Sequence, residues 1–400
     1  MTTILTNNER AIVILGAGAS VEYGIPATIP LSDIIEATVC ADAWMKRVGG
    51  DVAFQKIKNA LTGYLTNPGV VHFEQIYHCV HELLHFFPPT SGAADEFKPL
   101  LQPFLTNNAG IDKDALGPLE RKIIEVIFSD VSSLCNTPKC SLDPLAEFLK
   151  RLGERHTTRI YSTNYDDFPL QAAEGFFTGF EKPTGSCARF NGEQFWDHSN
   201  EPALFQLHGS VHMAYGEPGR TDIGELCWYE DRAKALQHFR FSGSGERRMD
   251  GTQVVRSPII TGLDKLSRIQ QRPFCYYYAA LARDLMDADV IYVIGSGLAD
   301  LHMNTWLHEA RSKNRRTPLV FVDYWANGFA AERFEPDSKL IALFHSLNVH
   351  TNELREHDYG AMDGWTISQD SSAAVWDQGF QKFLGAPDAL EKTLQRIGGM

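Results

Sequence analysis

The strongest constraint on the fold of this 400-residue chain is a set of short apolar segments, each closed by small or polar residues. They are Ala11–Leu15, Thr158–Tyr161, Ala203–Leu207, Pro258–Thr261, Val290–Ile294 and Leu319–Val322. Several are continuously apolar rather than alternating. A strand with one wet face alternates and a strand covered on both faces does not, so these read as strands of a parallel sheet under helices. Phe274–Ala288 and Leu301–Ser312 carry apolar residues at helical spacing and join the later strands. Strand–helix–strand connections of this kind build an α/β, doubly wound sheet.

The interval between the first two strands is different. From Leu31 to Leu152 no strand stands out, and Ile34–Met45, Ala53–Tyr64, Phe73–Phe87 and Leu119–Phe128 look amphipathic and helical. Asn67-Pro-Gly69, Pro88-Pro89 and Gly117-Pro118 punctuate them. The expected organisation is a sheet domain from residues 1–30 and 155–330, a helical insertion at 31–154, and a C-terminal helical extension at 331–400, with one or two helices from Trp376 to Ile397. Tyr215–Ser257, rich in Gly, Arg and Glu, reads as a second, irregular insertion. No repeat of fixed period is present.

Charge narrows the function classes. Lys and Arg number 37 against 50 Asp and Glu, a net charge of −13, which argues against a protein that coats nucleic acid through a basic surface. No apolar run reaches the roughly 18 residues of a membrane span. The N-terminus lacks a charged region followed by an apolar one, so no signal peptide is expected. Seven scattered cysteines argue against a disulfide framework, and the cytoplasm is the expected location.

The strand ends carry the chemistry, because open α/β sheets bind ligands beyond the carboxyl ends of their strands. The first segment ends in Gly16-Ala-Gly-Ala-Ser20, the second in Ser162-Thr-Asn-Tyr-Asp166, the third in His208-Gly-Ser210, the fourth in Thr261-Gly262, the fifth in Gly295-Ser-Gly-Leu298 and the sixth in Asp323. A glycine loop between strand and helix lets a diphosphate approach the backbone and the helix N-terminus, which points to a Rossmann-like nucleotide site. A tight turn that needs glycine for steric reasons is the other reading. The dehydrogenase fingerprint is incomplete: Val21 stands where a third glycine belongs, and the region of Glu36, where the ribose-binding acid is expected, reads as helix. Asn164, Asp166 and His208 sit at neighbouring strand ends. An imidazole there can act as a base near neutral pH, and an amide can orient water or a ribose hydroxyl.

Taken together, Gly16-Ala-Gly-Ala-Ser20 with Gly24-Ile-Pro26, Ser162-Thr-Asn-Tyr-Asp166, Leu207-His-Gly-Ser210 and Gly295-Ser-Gly-Leu298 resemble the sirtuin family in order and spacing over residues 10–325. With Phe73-Glu74, the variant Ser-Thr-Asn-Tyr-Asp is similar to the bacterial SIR2-like branch more than to the deacetylases. Two departures matter. Deacetylating sirtuins carry a zinc ribbon of two Cys pairs after the His motif, and between His208 and Pro258 this chain has Cys227 alone, too few for a four-Cys site. Ala27-Thr-Ile-Pro30 stands where that family has Asp-Phe-Arg. The resemblance therefore implies a sirtuin-like fold without structural zinc and an enzyme that hydrolyses NAD+, its substrate, to nicotinamide and ADP-ribose. A toxic effector of antiphage defence is the implied role, and an NAD-dependent protein deacylase is the alternative.

By the same resemblance, Asn164 would position water or the nicotinamide ribose, His208 would be the general base or ribose partner, and Asp166 would orient ribose or nicotinamide. Gly16, Ala17, Gly18, Ala19 and Ser20 would hold the diphosphate, with Pro26 and Thr163 beside it. Gly295, Ser296 and Asp323 would lie near the adenosine half. An NAD+-draining domain needs restraint, so a homo-oligomer or a partner in trans is expected. The resemblance implies a hexameric HerA-type DNA-translocating ATPase as that partner, while the net charge and the lack of an apolar span lead to no expectation of direct nucleic-acid or membrane binding.

His81-Glu82-Leu-Leu-His85 matches the zinc-protease pattern H-E-x-x-H, with His78 one turn earlier and Glu120 as a possible further ligand. An amphipathic helix with histidines at the core edge is the competing reading. Arg247-Arg248 reads as a solvated loop and Tyr276-Tyr-Tyr278 as helix packing.

Overall fold

The computed structural model describes residues 9–64, 71–86, 111–181, 185–216, 225–239, 257–262, 265–329, 347–349, 354–355, 364–368 and 370–398. Its strands are β1 (Arg10–Leu15), β2 (Thr157–Ser162), β3 (Ala188–Arg189), β4 (Ala203–Gln206), β5 (Met213–Tyr215), β6 (Leu226–Trp228), β7 (Val290–Ile294), β8 (Leu319–Val322), β9 (Leu354–Arg355), β10 (Trp365–Ser368) and β11 (Ala373–Trp376). Among the described residues the main sheet runs β4–β2–β1–β7–β8–β11–β10–β9, and β3–β6–β5 form a small second sheet. Neighbours from β4 to β11 are parallel; β10 and β9 are antiparallel. This is the expected α/β class with a Rossmann-like parallel sheet.

Central β1 shows why the apolar runs predict it. Ile12, Val13 and Ile14 are wholly buried, with Val13 between Ile160 and Tyr292 in register. Burying each such aliphatic side chain contributes roughly 1.5–3 kcal/mol, and a strand covered on both faces collects that from every residue.

The helices preceding β2 are α1 (Gly18–Val21), α2 (Thr28–Ala41), α3 (Ala43–Val48), α4 (Gly50–Tyr64), α5 (Phe73–Phe86), α6 (Lys113–Cys135) and α7 (Asp143–Arg155). Helices α2, α4 and α5 pack on α6, whose Ala115, Leu116, Leu119, Ile123 and Ile127 are buried. The sequence reading breaks this element at Gly117-Pro118, yet the helix passes through Pro118 and starts at Lys113, with Asp112 Oδ1 capping Asp114 N at 2.9 Å. One lost backbone bond is outweighed by the buried stripe. Later come α8 (Phe168–Ala172), α9 (Arg232–Gln237), α10 (Leu266–Ile269), α11 (Phe274–Met286), α12 (Leu301–Lys313), α13 (Phe380–Leu384) and α14 (Pro387–Ile397).

Two expectations need correction. Pro258–Thr261 is buried but is no strand of the sheet. Ile259 makes only an antiparallel bridge to Gly209, and Ile260 N donates to His208 O at 2.8 Å, so the segment clamps the His208 turn. An apolar run reports burial, and burial does not require sheet membership. The C-terminal stretch is not helical throughout: β11 pairs parallel with β8 and carries β10 with it, before the anticipated terminal helices. Arg247-Arg248 and Pro88-Pro89 lie outside the described residues.

Beneath the sheet a buried charge cluster ties elements together. Asp284 of α11 accepts from Arg159 Nε (2.7 Å) and Tyr161 Oη (2.5 Å) of β2, from Arg10 Nη1 of β1 (3.0 Å), and from Arg283 (2.7 Å). Asp284 is fully buried and Arg159 nearly so. Removing one member of such a cluster strands a buried guanidinium. Asp284→Ala is therefore expected to lower unfolding free energy by about 3–5 kcal/mol, measured by denaturant titration; a loss under about 1 kcal/mol would refute the assignment.

Candidate active site

The strand order locates the site. From β1 the chain crosses to β2 on one side, and from β7 it proceeds through α12 to β8 on the other. The crevice beyond the carboxyl ends of β1 and β7 is thus the switch point where such sheets bind ligands. A cavity of about 290 Å³ opens there, near the lower end of the small-molecule range. Gly16, Ala17, Ser20, Pro26, Thr163, Asn164, Asp166, His208 and Ser296, all expected from sequence, line it. A cavity of about 310 Å³ between α7 and α14 is slightly larger but lies away from these strand ends.

Gly18, Ala19, Gly295 and Asp323 stand outside the lining. Gly18 N donates to Gly295 O at 2.8 Å and Gly16 N to Ile294 O at 2.9 Å, so the β1 and β7 loops touch backbone to backbone. A Cβ on Gly295 (φ +62°) would lie 2.1 Å from Ala19 N, and one on Gly16 would lie 2.6 Å from Gly295 O. Steric need explains these glycines. The amides of Gly18, Ala19 and Ser20 already donate to Gly295 O, Gly16 O and Ala17 O. Among the described residues the Ala17 amide has no such backbone acceptor, and Ala17 lines the cavity. Asp323 is tied through its backbone to Trp376 and Gly379, under β11 and α13.

The loop after β2 carries a directed relay. Asn164 Nδ2 donates to Gly16 O (2.8 Å) and to Ser20 Oγ (2.7 Å), and Ser20 Oγ donates to Asp166 Oδ2 (2.6 Å). Gly16 O can only accept, which fixes the amide orientation. Both Asn164 donors are spent on the fold, and Oδ1 is its remaining group for a ligand. Burial pushes the Asp166 carboxyl up to about 6, against the lowering effect of the Ser20 hydrogen bond.

His208 follows β4. Its Nε2 lies 2.7 Å from Asp300 Oδ2, and Tyr278 Oη of α11 lies 3.3 Å from that nitrogen. Burial lowers the His208 pKa and the Lys265 charge adds to this, outweighing the Asp300 carboxylate, so the ring is neutral near pH 7. Burial disfavours ionised Asp300, but the hydrogen bond from His208 and the nearby Lys265 charge hold its carboxyl below the usual range. Glu74 and Lys265, whose charged atoms are 3.9 Å apart, also line the cavity. Asp300, Lys265 and Tyr278 escaped the sequence reading. Asp300 had a local signal, an acid just before the helical stretch from Leu301 and close after the Gly295 loop; Tyr278 had none, since a Tyr run reads as packing.

The H-E-x-x-H helix is turned to another use. His81 Nδ1 lies 2.7 Å from Glu120 Oε1, Tyr77 Oη donates to the same oxygen (3.1 Å), and Arg268 Nη2 donates to Tyr77 Oη (2.7 Å) while lying 3.7 Å from Glu120. His81, Glu120 and Arg268 are all buried. A guanidinium thus neutralises the acid that a metal would need, which argues against the protease reading. The His85 side chain lies outside the described residues, and among those described no group of three potential ligands is gathered.

Residues 158–343 match the family model described as the SIR2-like domain, a span that holds the loops after β2, β4 and β7 and stops short of Gly16–Ser20. No curated protein matches the chain. Among solved structures, one on the mechanism and regulation of Sir2 enzymes aligns at TM-score 0.34 and 13% identity, covering 80% of this chain and 83% of its own. A Sir2 homologue mutant–ADP ribose complex gives 0.36 and 12%, with 80% and 84% covered. A Sir2 homolog–NAD complex gives 0.37 and 12%, with 80% and 79%. No described helix is long and apolar enough to cross a membrane.

Asp166 offers a test of the site's electrostatics. Its carboxyl titrates near 3.8 when unperturbed and near 6 in the fold. In that interval the folded chain binds the proton more tightly, so this group's stabilisation is present below about pH 4 and lost as pH rises through about 6. Asp166→Asn keeps an acceptor for Ser20 and removes the charge. It is expected to raise the unfolding free energy at pH 7.5 by up to about 3 kcal/mol, seen as a higher Tm, and to lose that advantage near pH 4. A Tm difference independent of pH would contradict the buried-carboxylate account.

Proposed function

We propose that this protein is an NAD+ glycohydrolase that releases nicotinamide and ADP-ribose. One observation carries the reading: Asn164 Oδ1, the buried Asp166 and the neutral imidazole of His208 meet in one cavity at the β1/β7 switch point, beside the Gly16–Ser20 loop. The SIR2-like family match over 158–343 supports it.

In the proposed pose the diphosphate lies along Gly16–Ser20, with the Ala17 amide as donor and Lys265 as counter-charge. Ser296 sits towards the adenosine half, and the nicotinamide ribose faces Asn164 and His208. The C1′–N bond breaks with its electron pair passing to the pyridinium nitrogen, leaving neutral nicotinamide. Departure needs no general acid, and the transition state is oxocarbenium-like, as in glycoside hydrolysis. Water bonds to C1′, held by Asn164 Oδ1, and gives its proton to His208. A chain that drains NAD+ requires restraint, so we place it as an antiphage effector controlled by self-association or by an ATPase partner.

The test is NAD+ consumption by the purified chain, with both products quantified. Wild type is expected to form them in equal amounts, and Asn164→Ala and His208→Ala to lose at least about 10²-fold in rate while still unfolding cooperatively, Asn164→Ala at a lower Tm because its bonds to Gly16 O and Ser20 Oγ are gone. Turnover of acyl-lysine peptide with no hydrolysis of NAD+ in its absence would replace this reading with a deacylase. Unimpaired hydrolysis by His208→Ala would remove His208 from the mechanism.

A further inference from the structure

Asp300 caps α12 and reaches into the site at once. Its Oδ1 accepts from His302 N (3.1 Å) and Met303 N (3.3 Å), and its Oδ2 meets His208 Nε2 at 2.7 Å. Tyr278 Oη lies 3.5 Å from the same Oδ2. Both carboxylate oxygens are therefore engaged within the protein, although Asp300 lines the cavity. An N-cap is rigidly placed, because the first turn of the helix defines where its oxygens lie. A carboxylate can only accept, so the proton between the pair belongs on Nε2, and Nδ1 is left with the lone pair.

We propose that Asp300 is the positioning residue of this site, fixing His208 as the Nε2–H tautomer so that Nδ1 is the proton acceptor. The role rests on the hydrolase reading for its chemistry but not for its geometry. Orientation of a base by a third group is the arrangement that general-base sites use to hold the ring and stabilise the cation formed on proton transfer. The charged and titratable groups facing His208 are Asp300 from the α12 cap, Tyr278 from α11, Lys265 from the segment before α10, and Glu74 from α5. Asp300 is the one of these that hydrogen-bonds the imidazole as an obligate acceptor. Substitution by Asn keeps a good N-cap and a similar shape, so folding is preserved while the charge and the tautomer bias go.

The experiment compares wild type, Asp300→Asn and Tyr278→Phe in the full chain. Nitrogen NMR of the histidine ring, with His208→Ala for assignment, is expected to show Nε2 protonated in wild type. Asp300→Asn is expected to mix the tautomers and move the His208 titration to lower pH, because an opposing carboxylate charge has been removed. Its kcat is expected to fall by about 10²- to 10⁴-fold with KM within about threefold, and the low-pH limb of the rate profile to shift with the ring. Tyr278→Phe is expected to leave the tautomer unchanged. A purely capping Asp300 would change Tm and leave the tautomer, the titration and the pH profile as in wild type, which would overturn the proposal. If wild type hydrolyses no NAD+, the hydrolase reading fails, and the NMR tautomer still decides the role of Asp300.

Discussion

The backbone contact between the β1 loop and the β7 loop is the constraint on which the site depends. Gly16, Gly18 and Gly295 let two chain reversals meet with no side chain between them, and the bonds Gly16 N to Ile294 O and Gly18 N to Gly295 O lock that approach. The residues of the candidate site are placed relative to it. Ser20 is delivered by the short helix α1 that begins at Gly18, Ser296 and Asp300 by the chain that follows Gly295, and Asn164 ties its side chain back to Gly16 O. The buried Asp284 cluster joins Arg10 at the start of β1 and Arg159 and Tyr161 of β2 to α11, so the same strands are fastened a second time away from the loops. Rigid strands with a crevice at one end are the condition for holding a few polar groups to within tenths of an ångström.

The sheet was legible in sequence because parallel strands buried on both faces leave an unmistakable signal, and β1, β2, β4, β7 and β8 fall where their apolar runs lie. The same signal misassigned Pro258–Thr261, since burial against the His208 turn yields the same composition as burial in a sheet. It passed over β10 (Trp-Thr-Ile-Ser) and β11 (Ala-Ala-Val-Trp), four residues each and too short for a period to stand out. It also passed over α7, whose apolar stripe on a strongly charged background is among the more amphipathic in the chain. Local pattern identifies elements whose partners are interchangeable and fails where the partner is particular.

Site legibility divides in the same way. Asn164, Asp166 and His208 sit in loops directly after strands, where chain order predicts proximity, and the cavity contains all three. Asp300 and Tyr278 act through spatial neighbours far away in sequence, His208 being 92 and 70 residues from them. The glycine loop shows a subtler limit. Its pattern is that of a phosphate cradle, but most of its amides are consumed by the loop itself, and the glycines are required first by the contact with Gly295. H-E-x-x-H makes the converse point: the spacing is correct for a metal, and a buried arginine beside Glu120, invisible to a motif, argues against one.

Counting donors and acceptors around the cavity gives its chemical character. Asn164 has spent both amide hydrogens on Gly16 and Ser20, Ser20 has spent its proton on Asp166, and Asp300 holds the Nε2 proton of His208. The residues lining the cavity then offer acceptors in Asn164, His208 and the carboxylates of Asp166 and Glu74, and donors in Lys265, the Ala17 amide and the hydroxyls of Thr28 and Ser296, with Lys265 and Ala17 at the diphosphate side of the proposed pose. Acceptors in a low-dielectric crevice stabilise positive charge and resist a second anion. A substrate that carries a cationic ring, passes through a cationic sugar and keeps its phosphates on the donor side fits such a partition. The hydrogen bonds that exhaust the donors are also those that hold the β1 and β2 loops together, so folding and polarity of the site are one arrangement.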